Sequence, residues 1–501
     1  MSPERTWRIA AASLIAVVTL LAAAQWSLYP YVLDSYYHLS VIQGFQEAGG
    51  PVLHSFWEAA PEGQPHLYPP LFHLLWLPIS LLGVPPMVLA RLWSCTALTL
   101  LLGVAWLVFS QLATARSAFL ILVALTTPFT FFVASASYLP ATLAQACGLG
   151  LMLATVKKRW RAGGLLLALA FWLHAGLPWL FVLTLILFAI LEPEFRKTIR
   201  AILGIGLLGA SPWLLHTALH FSAVQFHIGG EALLVDTSPL LIGLGIWGFK
   251  ICWDRERDPI RFLCAMTLGF LPILFTYNSR YMSAQGLFCW LLLAGVALER
   301  LIQKIRHRWL TIPAVTLLAL AAPGIYWLPG YLFYGAWADT TFVALAGEPR
   351  MIPRGVFKEN LLNERFIDEF APSVLHHTNP SELIYCNYPY IAGMMSVRTG
   401  RSTTVQMLSE IAQRPTEQQI RPAKLIFWIK KPGVQPDPDL DRLLQQFHLR
   451  LLKTTWIANI YENPFPQGSR RVRRALLPWW LAEGFLLLAV GGIIWDFRRD
   501  R

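Results

Sequence analysis

Residues 9–39 read IAAASLIAVVTLLAAAQWSLYPYVLDSYYHL. The first part, Ile9 to Tyr29, is an apolar run long enough to cross about 30 Å of hydrocarbon. It follows a short basic start, and no small-residue cleavage site precedes the next charged segment, so it reads as a retained first span and not as a signal peptide. The second part opens on a carboxylate, Asp34, directly after that span. Outward from this stretch, similar runs recur at Pro85–Phe109, Ser117–Ser135, Pro140–Val156, Gly163–Leu173, Leu177–Leu191, Ile199–Leu215, Leu240–Trp253, Ile260–Phe275, Met282–Leu298, Leu310–Leu328 and Leu476–Trp495. The chain is 55% apolar and only 14% charged. About twelve spans are expected, in a polytopic α-helical membrane protein.

A net charge of +12 invites a nucleic-acid reading, which its distribution excludes. With the N-terminus inside, the inner loops hold Arg116, then Lys157, Lys158, Arg159 and Arg161, then Arg196, Lys197 and Arg200. Further inner groups are Arg255, Arg257 and Arg261, then Arg300, Lys304, Arg306 and Arg308, and finally Arg498, Arg499 and Arg501. Before Leu328 the outer side of the membrane region has only Arg91 and Arg280. The bias orients the chain in a membrane. Residues 470–474 run against it, because Arg470, Arg471, Arg473 and Arg474 lie on the outer side; either acidic lipid headgroups or a phosphate are their partners, or a span elsewhere is misassigned.

Two segments do not belong to a plain bundle. Asp34 to Val84 is a long outer loop without Lys or Arg, and Pro329 to Arg474 is polar and long enough to be a domain. That domain is expected to begin around Asp339, with a helix over Asn360–Phe370 and strands at Leu383–Cys386, Lys424–Ile429 and Ile457–Tyr461, hence small and α/β. The cysteines form no disulfide or metal spacing, and no phosphate-cradling glycine loop is present.

The first outer loop carries the most specific signal. Tyr37, Val41, Phe45 and Ala48 recur at helical spacing, which predicts an amphipathic helix lying along the membrane surface. Asp34 starts it, either as a helix cap or as a functional acid, and His38 follows one turn later on the same face. Pro61-Glu62-Gly63 and Tyr68-Pro69-Pro70-Leu71-Phe72 lead into an apolar segment that ends at Gly83, too short to span. An acid after the first span, two surface helices and a Pro-Pro-Leu entry resemble the GT-C superfamily of membrane glycosyltransferases. Asp34-x-Tyr-Tyr-His-Leu is similar to the motif of oligosaccharyltransferase catalytic subunits. Tyr-Pro-Pro-Leu resembles the loop of protein O-mannosyltransferases and of the enzymes that add aminoarabinose to lipid A.

The resemblance implies that Asp34 acts as base toward the acceptor or binds a divalent cation, Mg or Mn, with His38 orienting it; a metal-independent enzyme is the alternative. It also implies a polyprenyl phosphate or diphosphate leaving group, whose developing charge needs a prepositioned cation. Arg280, in Thr276-Tyr277-Asn278-Ser279-Arg280-Tyr281, and Arg91 are the candidates, with Tyr281 beside the first. Arg91 is open to a second reading as an interhelical hydrogen-bond donor. Glu58, Tyr68, Glu231 and Asp236 are candidates for the acceptor side. His216 and His220 are spaced for a metal on one helix face, and equally for interfacial packing; His54, His66, His73 and His174 are undecided. The chain departs from the oligosaccharyltransferase pattern where Ser137-Tyr138-Leu139-Pro140 stands in place of a second acidic motif, and where Trp479-Trp480 is followed by leucine. Asparagine-linked glycosylation is accordingly not expected.

The sequence reads as a GT-C-like bundle of about twelve transmembrane helices with a small extracytoplasmic α/β domain. Its expected parts are residues 1–328, with outer loop 34–84; the outer domain 329–474; and a last span with a short tail, 475–501. Its expected activity is transfer of a sugar from a polyprenyl-linked donor to a glycan, lipid or protein acceptor at the outer face of the plasma membrane, with inversion. A lipid or saccharide transporter, and a surface-polysaccharide polymerase or ligase, are the alternatives. Membrane lipids are partners; nucleic acid is not.

Overall fold

The computed structural model describes residues 3–30, 34–137, 139–223, 239–255, 258–277, 280–281, 284–304, 315, 326–328, 331–333, 341–342, 356–407, 415–430, 438–455 and 457–498. In chain order the first helices are α1 (Pro3–Ala24), α2 (Asp34–Ala48), α3 (Leu71–Leu81), α4 (Pro86–Leu112), α5 (Ala115–Thr126), α6 (Phe129–Ser137) and α7 (Leu139–Val156). Then come α8 (Trp160–Leu173), α9 (Leu177–Leu191), α10 (Arg196–Leu219), α11 (Pro239–Trp253), α12 (Phe262–Phe270), α13 (Pro272–Thr276) and α14 (Gln285–Lys304). The later part contributes α15 (Val356–His377), α16 (Pro389–Thr399), α17 (Glu417–Ile420), α18 (Pro438–Gln446) and α19 (Trp479–Arg498). Two compact units result: Met1–Tyr31 with Arg91–Gly355 and Leu486–Arg501, and Val32–Ala90 with Val356–Phe485. The sequence boundaries grouped loop 34–84 with the membrane region, whereas in the folded chain it belongs to the same unit as the later domain.

The first unit is helical. Among the described residues six helices are long and apolar enough to cross a membrane, and a seventh span results if Phe129–Ser137 and Pro140–Val156, bent by 104°, count as one. The protein is a multi-pass membrane protein. Helices α5, α8, α9 and α11 are apolar but shorter than the roughly 20 residues that cross 30 Å, so length alone does not mark them as spans. The predicted span Ser117–Ser135 is also interrupted, since α5 ends at Thr126 and Pro128 has no N–H with which to continue the ladder. Of Leu310–Leu328, most lies outside the described residues, and Tyr326–Leu328 is not helical but a strand, β3, paired antiparallel with β4 (Tyr331–Phe333).

Helices α8 and α10 meet along a seam of small residues: a Cβ at Gly206 would press on Leu167, and one at Gly164 on Ile205. Close backbone approach of this kind gives dispersion contact where lipid supplies no hydrophobic drive. Ion pairs close loops of this unit, with Arg261 on Glu192 at 2.7 Å and Arg116 on Glu299 at 3.4 Å. Asp496 accepts from the Ala162 N–H at 3.0 Å, an anion at the start of α8. In α19, Trp480, Phe485, Leu487, Leu488 and Trp495 are exposed, as a lipid-facing helix requires.

The second unit is built on a four-stranded sheet in the order β5-β6-β8-β7, where β5 is Leu383–Cys386, β6 Ala423–Ile429, β7 Arg450–Thr454 and β8 Ala458–Glu462. β5 and β6 run parallel, with α16 following β5, and the other pairings are antiparallel. The three predicted strands are found within a residue or two. The predicted helix Asn360–Phe370 extends to the whole of α15.

Helix α2 is more enclosed than the amphipathic pattern predicts, with its polar positions covered by protein as well. Ser35 to Ile42 are all buried, under α3, α16 and the indole of Trp57. Gly44 is what admits the indole, because a Cβ there would overlap the six-membered ring. Replacing Gly44 with alanine is expected to displace Trp57 and lower stability by about 1–3 kcal/mol, read as a fall in the thermal unfolding midpoint.

Candidate active site

Asp34 sits in the first turn of α2, half-buried, where a carboxylate is favoured by the unpaired amides of the helix start. One turn on, His38 is buried. Its Nδ1 lies 2.9 Å from Nε2 of His73, on α3. Tyr68 packs edge-on against His38 with ring centroids 4.9 Å apart, Phe72 does so at 5.3 Å, and His66 lies 6.1 Å from His73. The Pro69-Pro70 pair ends the preceding loop and lets α3 start at Leu71, which turns His73 back toward α2. Burial, and next the charge each of His38 and His66 would carry, hold His73 well below the ordinary imidazole value. Burial likewise raises the Tyr37 hydroxyl, with Glu58 and Tyr68 adding to it. Among the sequence candidates the fold thus brings His38 and Tyr68 together, and adds His73, which the motif reading left undecided.

Glu58 is 2% exposed, and its Oε2 accepts from the Met407 N–H at 2.9 Å. Around it the backbone forms a short ladder, with Thr403 N–H on Trp57 C=O at 2.9 Å and Ala60 N–H on Thr403 C=O at 3.0 Å. The side chain therefore fastens the first loop to the later domain. Burial raises its carboxyl above the ordinary 4.5, against the hydrogen bonds from Met407, Gln64 and Ser55. A raised folded value favours the fold below the ordinary pKa, and that advantage is lost as pH rises through the folded value. Glu58→Gln keeps an acceptor for Met407 and cannot ionise, so its unfolding midpoint is expected to vary less with pH above about 4.5 than that of the parent chain. An equal slope would show that Glu58 is not the group responsible.

Two arginines expected to meet lipid are otherwise engaged. Arg470 pairs with Glu47 and donates to the Gly400 carbonyl at 3.2 Å, and Arg473 donates to the Glu62 carbonyl at 3.4 Å. Both hold the first loop, as Glu58 does.

The cationic candidates belong to the first unit. The Arg280 guanidinium lies over the Tyr277 ring, 4.5 Å from its centroid, in the turn that follows α13. His174, between α8 and α9, caps α9 by accepting from the Gly176 and Leu177 N–H groups at 3.0 and 3.1 Å. Burial and the charge of Arg280 keep its imidazole below the usual value, so a single cation stands here. Tyr281 is buried, and its hydroxyl accepts from Trp290 Nε1–H at 3.1 Å, which ties the turn to α14. Arg91 Nε–H donates to the Tyr29 carbonyl at 3.4 Å, the interhelical role that the second reading gave it. Glu231 and Asp236 lie outside the described residues.

His220 Nδ1 meets the His216 carbonyl at 3.0 Å, which serves local packing at the end of α10. No three His, Cys, Asp or Glu side chains among the described residues converge as a metal-ligand set. Asp34 is a carboxylate that could contribute to holding a divalent ion together with water and a donor phosphate, and no further protein ligand set converges on it among the described residues.

No protein-family model and no curated protein matches the sequence. Solved structures do match it. ArnT from Cupriavidus metallidurans bound to undecaprenyl phosphate aligns with a TM-score of 0.56 at 16% identity, over 90% of this chain and 97% of that one. The Archaeoglobus fulgidus oligosaccharyltransferase in its apo form aligns with a TM-score of 0.57 at 10% identity, over 84% and 69%. The same archaeal enzyme, AglB, in complex with an inhibitory peptide and a dolichol-phosphate, gives 0.50 at 11% identity over the same shares. A bundle of membrane-length apolar helices with a small mixed-sheet domain toward the C-terminus, superposable on these proteins over most of its length, is the GT-C fold, and this chain has it.

Proposed function

We propose that the protein is a glycosyltransferase that moves a sugar from a polyprenyl-phosphate donor to a hydroxyl-bearing acceptor at the outer face of the plasma membrane. The observation that carries the reading is an acid at the start of a buried helix, one turn from a histidine held by a second histidine, in a fold shared with proteins that were solved with undecaprenyl phosphate and dolichol-phosphate. In the proposed step the Asp34 carboxylate takes the proton of the acceptor hydroxyl as its oxygen bonds to the anomeric carbon. The bond from that carbon to the phosphate oxygen breaks, and polyprenyl phosphate leaves with the electron pair. One displacement inverts the anomeric centre. Arg280 meets the charge that grows on the leaving phosphate, Tyr281 holds the adjoining backbone through its bond from Trp290, and Arg91 is the second candidate cation. Tyr68, against His38, covers the donor side. The charge distribution supports an inside N-terminus and an outer domain over residues 329–474.

The test is a panel of short-chain polyprenyl-phosphate sugars offered, together with a panel of hydroxyl-bearing acceptors, to the purified protein in nanodiscs, with and without EDTA. Release of polyprenyl phosphate from at least one donor, unaffected by chelator, is the expected result. Intact passage of every donor across the bilayer without cleavage would replace the reading with a transporter.

A further inference from the structure

The His38–His73 contact constrains more than position. Two imidazole nitrogens 2.9 Å apart share one proton, so one donates and the other is bare. The far nitrogen of His73, Nδ1, is buried and has no hydrogen-bond partner among the described residues. If His38 were the donor, His73 would carry its own proton on that Nδ1, a buried N–H with nothing to receive it. If His73 donates from Nε2, the same Nδ1 is only a lone pair. An orphaned buried N–H is the rarer and costlier of the two, which selects the second arrangement. His38 then keeps its proton on Nε2. To become an imidazolium it would have to add a proton to Nδ1, against the N–H of His73.

We propose that His73 is a positioning residue of the site: by donating Nε2–H to His38 Nδ1 it locks His38 as the neutral Nε2–H tautomer, a hydrogen-bond donor without positive charge one turn from Asp34. The role rests on the sugar-transfer reading for its purpose, not for its geometry. A full cation at His38 would hold the Asp34 carboxylate ionised and make it a poorer base; a neutral donor orients it and leaves its basicity.

The surroundings suit such a lock. On α2, Asp34 and Tyr37 share the helix with His38. From the loop come His66, Tyr68 and Glu58, the last already bound to the Met407 amide. From α16, packed on another side of α2, comes Arg398, which is paired with Asp368 at 2.9 Å. Phe45 and Phe72 wall the two rings with aromatic edges, Phe45 5.8 Å from His73 and Phe72 5.3 Å from His38. Burial holds His73 neutral, as the lock needs.

The test is ¹⁵N-histidine NMR of the full chain in nanodiscs, with the two rings assigned by their loss in His38→Gln and His73→Gln. Both rings are expected to show the neutral Nε2–H pattern from about pH 8 down to about pH 5, below the ordinary imidazole value. An imidazolium at His38 within that range, or an Nδ1–H signal at His73, overturns the proposal. The readout needs no turnover, so inactivity toward polyprenyl donors would defeat the functional reading and leave this one standing. Kinetics give the second arm. His73→Phe is expected to lower kcat by about tenfold to a hundredfold with KM unchanged, and to move the acid limb of the pH profile up toward about 6.5, because His38 can then charge. His73→Gln still offers an N–H and restores most of kcat at alkaline pH. Equal loss of stability in both variants, with kcat and the acid limb unmoved, would show a merely structural histidine.

Discussion

Replacing Asp34 with asparagine is expected to abolish sugar transfer, by about 10²–10⁴-fold or more, while the protein still inserts, purifies and unfolds at nearly the parent temperature. Asparagine has the size of aspartate and remains a good residue for the start of α2, so the helix is preserved. It lacks only the ability to take a proton. If the carboxylate served as a helix cap and nothing else, the substitution would leave turnover intact. Initial rates of transfer from a short-chain donor decide between these outcomes, and retained rates would remove Asp34 from the mechanism.

Arg280→Ala is expected to lower kcat/KM for the donor by about 10²–10³-fold, the usual scale for removing a group that meets developing charge. Part of that loss falls in binding, because the phosphate is charged before the bond breaks. Lysine in the same position keeps the charge but not the planar face that lies on Tyr277 4.5 Å away, so Arg280→Lys recovers a fraction only. The stack itself is worth about 0.5–1 kcal/mol at a half-exposed site, which makes the expected change in unfolding temperature small beside the change in rate. Equal rates for the alanine variant and the parent would assign the phosphate to another cation.

Much of this arrangement is legible in the sequence, and the rest is hidden for identifiable reasons. Apolar runs report lipid, and three strands were found because their residues are buried on alternating or all faces. β7 was missed because it is an edge strand with exposed Arg450 and Lys453, the pattern that protects an edge and erases the alternation. Hydropathy registers what a helix touches and not its length, so the shorter helices α5, α8, α9 and α11 read as spans although length alone does not mark them. α2 shows a stripe of apolar residues that reads as a surface helix, yet its polar side is covered by α16, more than 300 residues later in the chain. Long separation also hid the chemistry: His38 and His73 are 35 residues apart, and Glu58 and Met407 are 349 apart, with no periodicity to link them. Asp34 is visible because a local motif carries it; the partner of His38 is not, because only the packing of α3 on α2 brings His73 to it.

The central claim separates a residue that cuts from a residue that holds. Native mass spectrometry of nanodisc samples incubated with one short-chain polyprenyl-phosphate sugar and a hydroxyl-bearing acceptor reads both together. The expected spectra show polyprenyl phosphate on the parent protein, intact donor retained on Asp34→Asn, and neither on Arg280→Ala. Polyprenyl phosphate on the Asp34→Asn sample, or intact donor held as well by Arg280→Ala as by Asp34→Asn, would contradict the account.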